Sequence, residues 1–393
     1  MTRALWLLCL SIALISAQQN AVLIVLPSLL AEQGRSPIAI GTICSLPPLF
    51  TLLARLPSGL INSSVWTARL LVGIYAALGA SSLLFAFADS LWIIVVLSAL
   101  SGLFAGVLTT LFLPLYLEAM PTALSKAKAM GYYTGSIALG FAAGGYVAGY
   151  GADLLGFAFV FYVAAASTFA GLPPLLLGQL DASPLADGGH TKRTAPASSD
   201  RRSVIKGLLM PGVMLVLVTS VCLNILYKLP ATYLPGYASS FGISLSDVGL
   251  LMGSYALCNA IVRPICGPVI ERMGVWLTSV ICLLAQAVVL ILIGFEPSLW
   301  MLLAVMLAAG TLRALVMVAN AVAMTETMDG RFFTRGMASG MFNAASDVGY
   351  IVGPIMAGMI ADAVGVRAMF VVAPSVLGVA YAFSYIYLRR KQE

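Results

Sequence analysis

Long apolar segments alternate with short polar ones along the whole chain. Each apolar segment is predicted to form a helix that crosses a membrane, because a bilayer core is spanned by about 20 apolar residues in helical conformation. There are twelve such segments: 4–30, 37–61, 69–88, 91–117, 131–151, 157–179, 208–238, 247–270, 275–294, 299–325, 336–360 and 366–388. Several contain glycine, which is compatible with membrane helices because small residues let them pack closely.

One long polar stretch separates the first six segments from the last six. It covers residues 181–207 and is rich in serine, alanine, aspartate and basic residues, which is typical of a flexible linker. The predicted organisation is therefore an N-terminal six-helix bundle at 1–180, a cytoplasmic linker at 181–207 and a C-terminal six-helix bundle at 208–393.

Composition supports a membrane protein and excludes most other classes. Hydrophobic residues make up 61% of the 393 residues and charged residues 9%, against roughly 25% charged in ordinary soluble domains. Soluble enzymes, nucleic-acid binders and disordered scaffolds do not have this composition. The six cysteines lie in apolar runs without CxxC spacing, and the single histidine, His190, lies in the polar linker. We therefore expect no metal, no cofactor and no catalytic site.

The positions of the basic residues predict the orientation in the membrane. If the N-terminus is cytoplasmic, fifteen of the 21 lysines and arginines lie in cytoplasmic segments, two on the opposite face and four within spans. This bias follows the positive-inside rule. We expect a multi-pass protein of the cytoplasmic (inner) membrane with both termini in the cytoplasm.

The two halves of the chain repeat each other. When the first half is shifted by 208 or 209 residues, many of its glycines, charged residues and helix-end residues coincide with the same residue types in the second half. The matches extend over a stretch of more than 130 residues. Six spans is an even number, so the halves share one topology and form parallel repeats. Examples are Gly34 with Gly242, Arg55 with Arg263, Glu118 with Glu326, Gly144 with Gly353, and Gly156 with Gly365.

Two motifs make the chain resemble the major facilitator superfamily along its whole length. Residues 263–274, RPICGPVIERMG, are similar to the family's cytoplasmic-loop motif, and residues 349–354, GYIVGP, are similar to its glycine-proline motif. In the first half, Ser63 takes the place of the loop acid, and Ser98 that of an arginine found in proton-coupled members. The resemblance implies an all-α membrane fold of twelve helices in two pseudo-symmetric six-helix bundles. It also implies a central cavity lined mainly by spans one, four, seven and ten.

Three charged residues lie deep within the C-terminal spans. A charge at the bilayer centre costs roughly 2.5–3.5 kcal/mol on insertion scales, so it usually faces the protein interior or water. Lys228 shares a helix face with Asn224 and Tyr227, which predicts a polar substrate site. Arg313 and Asp347 lie near the midplane; a substrate or proton role and a structural ion pair both remain open.

The corresponding N-terminal residues are neutral. Asn20 is the repeat partner of Lys228, and Gln18 and Gln19 precede it, so all three are candidate substrate ligands. Near the cytoplasmic ends of the spans, arginines present in both halves predict a gate with nearby acids. The candidate gating residues are Arg55, Arg263, Glu118, Glu326, Glu271 and Arg272.

The prediction is a secondary transporter that works by alternating access. It moves a small organic solute, anionic or zwitterionic because the intramembrane charge is net positive. The alternative is a proton-coupled efflux pump for amphiphilic drugs or exported metabolites. A membrane enzyme is less consistent with the residues, because the spans hold one acid and no histidine, and the lack of a GxxxxGK[ST] loop disfavours ATP drive. A receptor or scaffold that keeps a transporter fold stays open, and transport of a solute in reconstituted vesicles would separate it from a transporter. The expected partners are a small-molecule substrate, the lipid bilayer and protons, with no nucleic acid, and the expected state is a monomer.

Overall fold

The computed structural model describes residues 3–58, 64–88, 90–121, 126–186, 207–295, 298–327 and 335–391. This part of the chain consists of α-helices joined by short turns, without strands. The helices are α1 Arg3–Glu32, α2 Pro37–Ser58, α3 Ser64–Phe85, α4 Leu91–Glu118, α5 Lys126–Leu155, α6 Phe157–Ala170, α7 Leu172–Ala186, α8 Pro211–Ser239, α9 Leu245–Val262, α10 Gly267–Met273, α11 Val275–Ile291, α12 Leu299–Thr327, α13 Arg335–Val364 and α14 Val366–Arg390.

Each of the twelve apolar segments lies on a helix or on a pair of consecutive helices. Ten helical spans of the described chain are long and apolar enough to cross a membrane; one of them, Phe157–Gln179, combines α6 with the start of α7. Residues 69–85 form a shorter apolar helix. Residues 126–155 form the 30-residue helix α5, which contains more glycine and polar residues than the apolar spans and is not one of those ten. The chain is therefore an all-α, multi-pass membrane protein, and the predicted fold class is confirmed.

Two predicted segments are divided into two helices each. Segment 247–270 separates into α9, which ends at Val262, and α10, which begins at Gly267. Pro264 lies in the break, where a proline ring and its missing N–H disfavour continuation of the helix. Segment 157–179 is divided at Gly171, and α7 continues to Ala186, beyond the predicted start of the linker at 181. The rest of the linker, 187–206, lies outside the described residues.

The internal repeat is visible in the backbone of the turns. Gly34 and Gly242 follow α1 and α8 with φ of 68° and 72°. Gly156 and Gly365 precede α6 and α14 with φ of 81° and 85°. These angles favour glycine because a side chain would clash with the backbone. The sequence pairs at shifts of 208 and 209 thus make the same turns in both halves.

The chain divides into two compact units. One contains Met1–Arg35, Leu46–Thr191 and Ala238–Leu257; the other contains Ser36–Ser45, Lys192–Tyr237 and Cys258–Glu393. Each unit holds most of one half of the sequence together with a segment from the other half. The bundle boundaries at 180 and 208 stay a prediction.

In the first unit, glycines allow α1 and α5 to pack along each other. A Cβ atom at Gly140 would lie 2.8 Å from the Ser16 Cβ, and one at Gly144 would lie 2.7 Å from the Ala17 Cα. Both distances are far below van der Waals contact, so larger residues would push the helices apart. The hydropathy of α5 is modest because many of its positions are glycines, and these glycines are needed for its close packing against α1.

Asp153, near the end of α5, caps the first turn of α9 in the same unit. Its carboxylate accepts hydrogen bonds from the backbone N–H of Leu245 at 3.1 Å and of Ser246 at 2.6 Å, and from the Ser246 hydroxyl. The first N–H groups of a helix have no partner within the helix, so a carboxylate there is stabilising. Partial burial raises the pKa of Asp153, but the hydrogen bonds from Ser246 and Leu245 outweigh it, and the pKa falls below its ordinary value. The carboxylate is therefore ionised at neutral pH.

Candidate functional site

Arg313 of α12 is buried and its guanidinium contacts two neighbouring helices of the second unit. It donates to the backbone carbonyl of Leu223 at 3.0 Å and to the Asn224 Oδ1 at 2.6 Å, both on α8. It also donates to the Tyr350 hydroxyl of α13 at 3.3 Å. The face of the guanidinium lies over the Tyr227 ring, 4.5 Å from its centroid. These neutral partners satisfy several of its donors and join three helices.

Lys228 lies on α8 near Arg313 and is 7% exposed. Its Nζ atom lies 5.5 Å from the centroid of the Tyr350 ring, a cation–π contact. Among the described residues, this ammonium has no hydrogen bond or ion pair. Cys44 of α2 and Arg313 lie near this ammonium. A nearly buried, unpaired ammonium is costly, and it is a strong attractor for an anionic group.

The glycine-proline motif of α13 explains how Tyr350 reaches both cations. Gly349 packs on α8, where an added Cβ would lie 2.8 Å from the Asn224 Cβ. One turn later, a Cβ at Gly353 would lie 3.1 Å from the Lys228 Cβ. The two glycines let α13 approach α8 closely, so Tyr350 between them lies against Lys228.

A second set of polar contacts extends the cluster along α8 and α12. The Asn320 Nδ2 donates to the Val216 carbonyl at 3.1 Å and to the Ser220 hydroxyl at 2.9 Å. The Asn224 Nδ2 donates to the Ser220 carbonyl at 2.8 Å. Because Asn320 follows Arg313 by seven residues, both lie on the same face of α12. The seven-residue spacing from Arg313 could therefore have identified Asn320 from the sequence as a member of the cluster.

The structure therefore brings together four predicted site residues, Lys228, Arg313, Asn224 and Tyr227. It adds Tyr350, which in the sequence is notable only as part of the glycine-proline motif. Asp347 lies three residues before Tyr350 on α13 and is 3% exposed. Its burial agrees with the predicted midplane position. Its role as a proton carrier or charge partner stays a prediction.

The predicted N-terminal ligands lie in the first unit and point in different directions. Gln18 donates to the Ser82 hydroxyl of α3 at 3.0 Å. Asn20 donates to the Phe141 carbonyl of α5 at 2.6 Å. Gln19 is half-buried. Consecutive residues of a helix are rotated by about 100°, so three adjacent polar residues cannot share one face.

The predicted gating residues are placed as follows. Arg263 is half-buried, and its Nη2 lies 3.2 Å from the Met317 Sδ on α12. Arg55 is half-buried as well, and Glu326, Glu271 and Arg272 are exposed. The side chain of Glu118 lies outside the described residues. The proposed pairing of these charges stays a prediction.

The cluster combines two cationic side chains with aromatic walls. Two cationic groups lie within a few ångströms of two tyrosine rings, which contact each other edge-on at 6.0 Å between centroids. Within the described ranges, no group of three or more histidine, cysteine, aspartate or glutamate residues is arranged to hold a metal ion. The arrangement suits reversible binding of a solute with a carboxylate or phosphate group and a flat or apolar body.

Comparison with known proteins identifies the family. The profile of the Major Facilitator Superfamily matches residues 8–244 and 221–393. The chain belongs to this superfamily. Among solved structures, a mutant of the nucleoside transporter NupG has a TM-score of 0.80 at 14% identity, over 98% of this chain and 99% of that one. A bacterial homologue of the human lysosomal transporter Spinster has a TM-score of 0.80 at 16% identity, over 98% and 96%.

Curated relatives are similar over a shorter region. Multidrug resistance protein MdtG of Serratia proteamaculans is 26% identical over 170 residues, or 42% of this superfamily member and 41% of the relative. The protein of the same name from Proteus mirabilis is 28% identical over 167 residues, 41% of each chain. The match thus spans less than half the length of these relatives, while the structural likeness covers nearly the whole chain.

Proposed function

We propose that this superfamily member is a secondary transporter of a small organic anion or zwitterion, working by alternating access. The observation that carries the proposal is the nearly buried Lys228 ammonium, which has no hydrogen bond or ion pair among the described residues. An anionic substrate would offset the cost of burying this charge. The substrate would bind only when its carboxylate or phosphate reaches Lys228, with its body against Tyr227 and Tyr350.

Arg313 has a different role in this proposal. Its guanidinium is held by Leu223, Asn224 and Tyr350 and lies on Tyr227. It adds positive potential and holds the rings and the amide in place. Lys228 is then the residue that contacts the anionic group, and Arg313 orients the walls of the site.

The membrane setting follows from the sequence. We propose that both termini are cytoplasmic, on the basis of the fifteen basic residues on one face against two on the other. The cytoplasmic (inner) membrane is the proposed location, and a monomer is the proposed state. The N-terminal candidates Gln18, Gln19 and Asn20 are proposed as neutral ligands or packing residues of the first unit.

The alternative is a proton-coupled efflux pump for amphiphilic drugs or exported metabolites. It is favoured by the names of the MdtG relatives, although that similarity covers 42% of this chain. The positive charge of the site argues against lipophilic cations as its main substrates, because they would be repelled by Lys228 and Arg313.

A ligand-induced thermal-shift screen of the purified protein tests the choice between the two. The probes are aromatic carboxylates, organic phosphates and lipophilic cationic drugs at equal concentrations. A ligand at 100 times its dissociation constant stabilises the folded state by about 2.7 kcal/mol, which is a measurable rise in melting temperature. We expect the anions to raise it. Stabilisation by the cations alone would contradict the anion site and support drug efflux.

Asp347 is the proposed proton carrier if transport is proton-coupled. We expect Asp347→Asn to abolish uphill, pH-driven accumulation in proteoliposomes while substrate exchange across the membrane continues, because the amide cannot carry a proton. Transport is measured with and without an imposed pH gradient. Intact uphill transport in the variant would exclude this role. Weaker substrate binding with unaltered pH dependence would instead indicate a structural charge.

A further inference from the structure

Thr232 lies one helical turn beyond Lys228 on α8, and its hydroxyl is not used by the fold. The side chain is 2% exposed, and its Oγ1 atom has no hydrogen-bond partner among the described residues. Residues four positions apart share a helix face, with their Cβ atoms about 5–6 Å from each other. The Thr232 hydroxyl and the Lys228 ammonium are therefore buried neighbours, and both have hydrogen-bonding capacity to spare.

Two other buried threonines of this unit are satisfied within their own helices. Thr219 donates to the Leu215 carbonyl at 2.7 Å, and Thr278 donates to the Gly274 carbonyl at 2.8 Å. A bond to the carbonyl four residues earlier is a common local partner for a hydroxyl in a helix. Thr232 makes no such bond. A buried hydroxyl without a partner is costly, so this position favours a ligand that supplies one.

A second unused group lies on α13, where Pro354 leaves the Tyr350 carbonyl without its usual donor. In a helix, the N–H of residue i+4 bonds the carbonyl of residue i, and proline has no N–H. Pro354 lies inside α13. The preceding residue, Gly353, packs on α8, where an added Cβ would lie 3.1 Å from the Lys228 Cβ. The carbonyl is therefore an acceptor on the part of α13 that contacts α8.

The internal repeat indicates where this carbonyl faces. In the first unit, Phe141 is the repeat partner of Tyr350, and Asn20 is that of Lys228. The Asn20 Nδ2 donates to the Phe141 carbonyl at 2.6 Å, so that carbonyl faces the polar residue of the neighbouring helix. In the second unit a longer lysine replaces the amide, and its Nζ lies by the Tyr350 ring instead. This exchange leaves the equivalent carbonyl for another donor.

We propose that Thr232 and the Tyr350 carbonyl select a substrate with a hydroxyl group next to its carboxylate, a 2-hydroxy acid. The inference rests on the proposed transport function and names the substrate class of that site. The carboxylate binds the Lys228 ammonium. The substrate hydroxyl donates to the Tyr350 carbonyl and accepts from the Thr232 hydroxyl, so Thr232 is a specificity-determining residue.

The spacing and the charge of the site both favour this class. Side chains on adjacent turns of one helix suit two substrate groups on neighbouring carbon atoms. A substrate ammonium in place of the hydroxyl would be repelled by the charges of Lys228 and Arg313. A hydroxyl is neutral, and it both donates and accepts, as the carbonyl and the threonine require.

Two acids that differ by one hydroxyl test this selection. Mandelate and phenylacetate have the same ring and the same carboxylate, and only mandelate carries the hydroxyl. Their dissociation constants are measured by thermal-shift titration of the full-length purified protein. We expect mandelate to bind roughly 2- to 10-fold more tightly, because a neutral hydrogen bond changes an equilibrium constant by about that factor. Phenylglycine, which has an ammonium at that position, should bind more weakly than mandelate.

Thr232→Val removes the hydroxyl and keeps the shape of the side chain. The preference for mandelate should shrink roughly 2- to 10-fold, while the affinity for phenylacetate and the melting temperature without ligand stay unaltered. Thr232→Ser retains a hydroxyl and should retain the preference. Thr219→Val is the matched control on the same helix: its hydroxyl already bonds the Leu215 carbonyl, so the preference should not change.

Pro354→Ala tests the carbonyl. It restores an N–H that can bond the Tyr350 carbonyl from within α13, so mandelate should lose part of its advantage over phenylacetate. Pro374→Ala makes the same change in the interior of α14 and is the control. The ratio of the two dissociation constants is compared, because a general change in the fold would alter the binding of both acids.

The outcomes separate this inference from the function on which it rests. Equal affinity for mandelate and phenylacetate, or a preference that survives intact in Thr232→Val or in Pro354→Ala, would overturn the selection of a hydroxy acid and leave the anion site standing. Tighter binding of phenylglycine than of mandelate would also overturn it. If neither mandelate nor phenylacetate stabilised the protein, the proposed anion transport function itself would be rejected.

Discussion

Lys228→Met is expected to abolish stabilisation by organic anions while the protein stays as stable as the unaltered chain, or becomes more stable. The ammonium is nearly buried and has no hydrogen bond or ion pair among the described residues, so its removal relieves a desolvation cost. A hydrogen bond to a charged group contributes about 1.5–3 kcal/mol, so anion affinity should fall roughly 10- to 100-fold. Thermal-shift titration with an aromatic carboxylate measures both quantities.

Lys391→Met is the matched control for that experiment. The Lys391 ammonium also lies over a tyrosine, 4.6 Å from the centroid of the Tyr387 ring, but at an exposed position directly after α14. The control removes the same charge and the same type of contact, and anion affinity should not change. Lower stability of Lys228→Met with intact anion binding would mean that the lysine is structural, and the proposed substrate site would be wrong.

Arg313→Lys is expected to lower both stability and anion binding, whereas Lys228→Met is expected to lower anion binding alone. A lysine cannot reproduce the planar fork that bonds Leu223, Asn224 and Tyr350 together. Each buried acceptor left without a partner costs about 1–3 kcal/mol. We expect a total loss of roughly 2–5 kcal/mol in the free energy of unfolding. The loss is measured as a lower melting temperature, together with weaker anion binding as Tyr227 and Tyr350 lose their support.

Arg367→Lys is the control for the loss of stability expected in Arg313→Lys. The Arg367 Nε donates to the Gly294 carbonyl at 3.0 Å from an exposed position, where water can replace the guanidinium. We expect less than about 1 kcal/mol of destabilisation there. If Arg313→Lys is as stable as the unaltered chain and only anion binding is lost, then Arg313 contacts the substrate directly, and the positioning role assigned to it is wrong.

Hydropathy predicted nearly all of the helices, because the bilayer leaves few alternatives. A backbone in lipid must satisfy its own hydrogen bonds, so a long apolar segment becomes a helix regardless of its tertiary neighbours. The breaks were harder to place. Pro264 and Gly171 interrupt apolar runs, and many prolines, such as Pro354, lie within continuous helices. Whether a proline ends a membrane helix depends on which neighbour satisfies the freed carbonyl, and that is a tertiary property.

The sequence predicted the charged residues of the candidate site but not the contacts that these residues make. Lys228 and Arg313 stand out because charge in an apolar run is costly. The spacing of Asn224 and Tyr227 from Lys228 along the helix was also sufficient to predict them as site residues. Tyr350 could not be assigned in this way, because a tyrosine in a membrane helix is common and its partners lie more than 30 positions away along the chain.

The sequence by itself determined the membrane class, the helical segments, the internal repeat and the residues whose burial has to be explained. Each of these follows from local physics: the transfer of side chains into lipid and the periodicity of a helix. Tertiary structure alone decided that Arg313 donates hydrogen bonds to Leu223, Asn224 and Tyr350. It also decided that Gly349 and Gly353 bring Tyr350 close to Lys228 and Arg313. Such contacts depend on how closely helices distant in sequence approach each other, and that approach is set by packing, for which one sequence has no local signal.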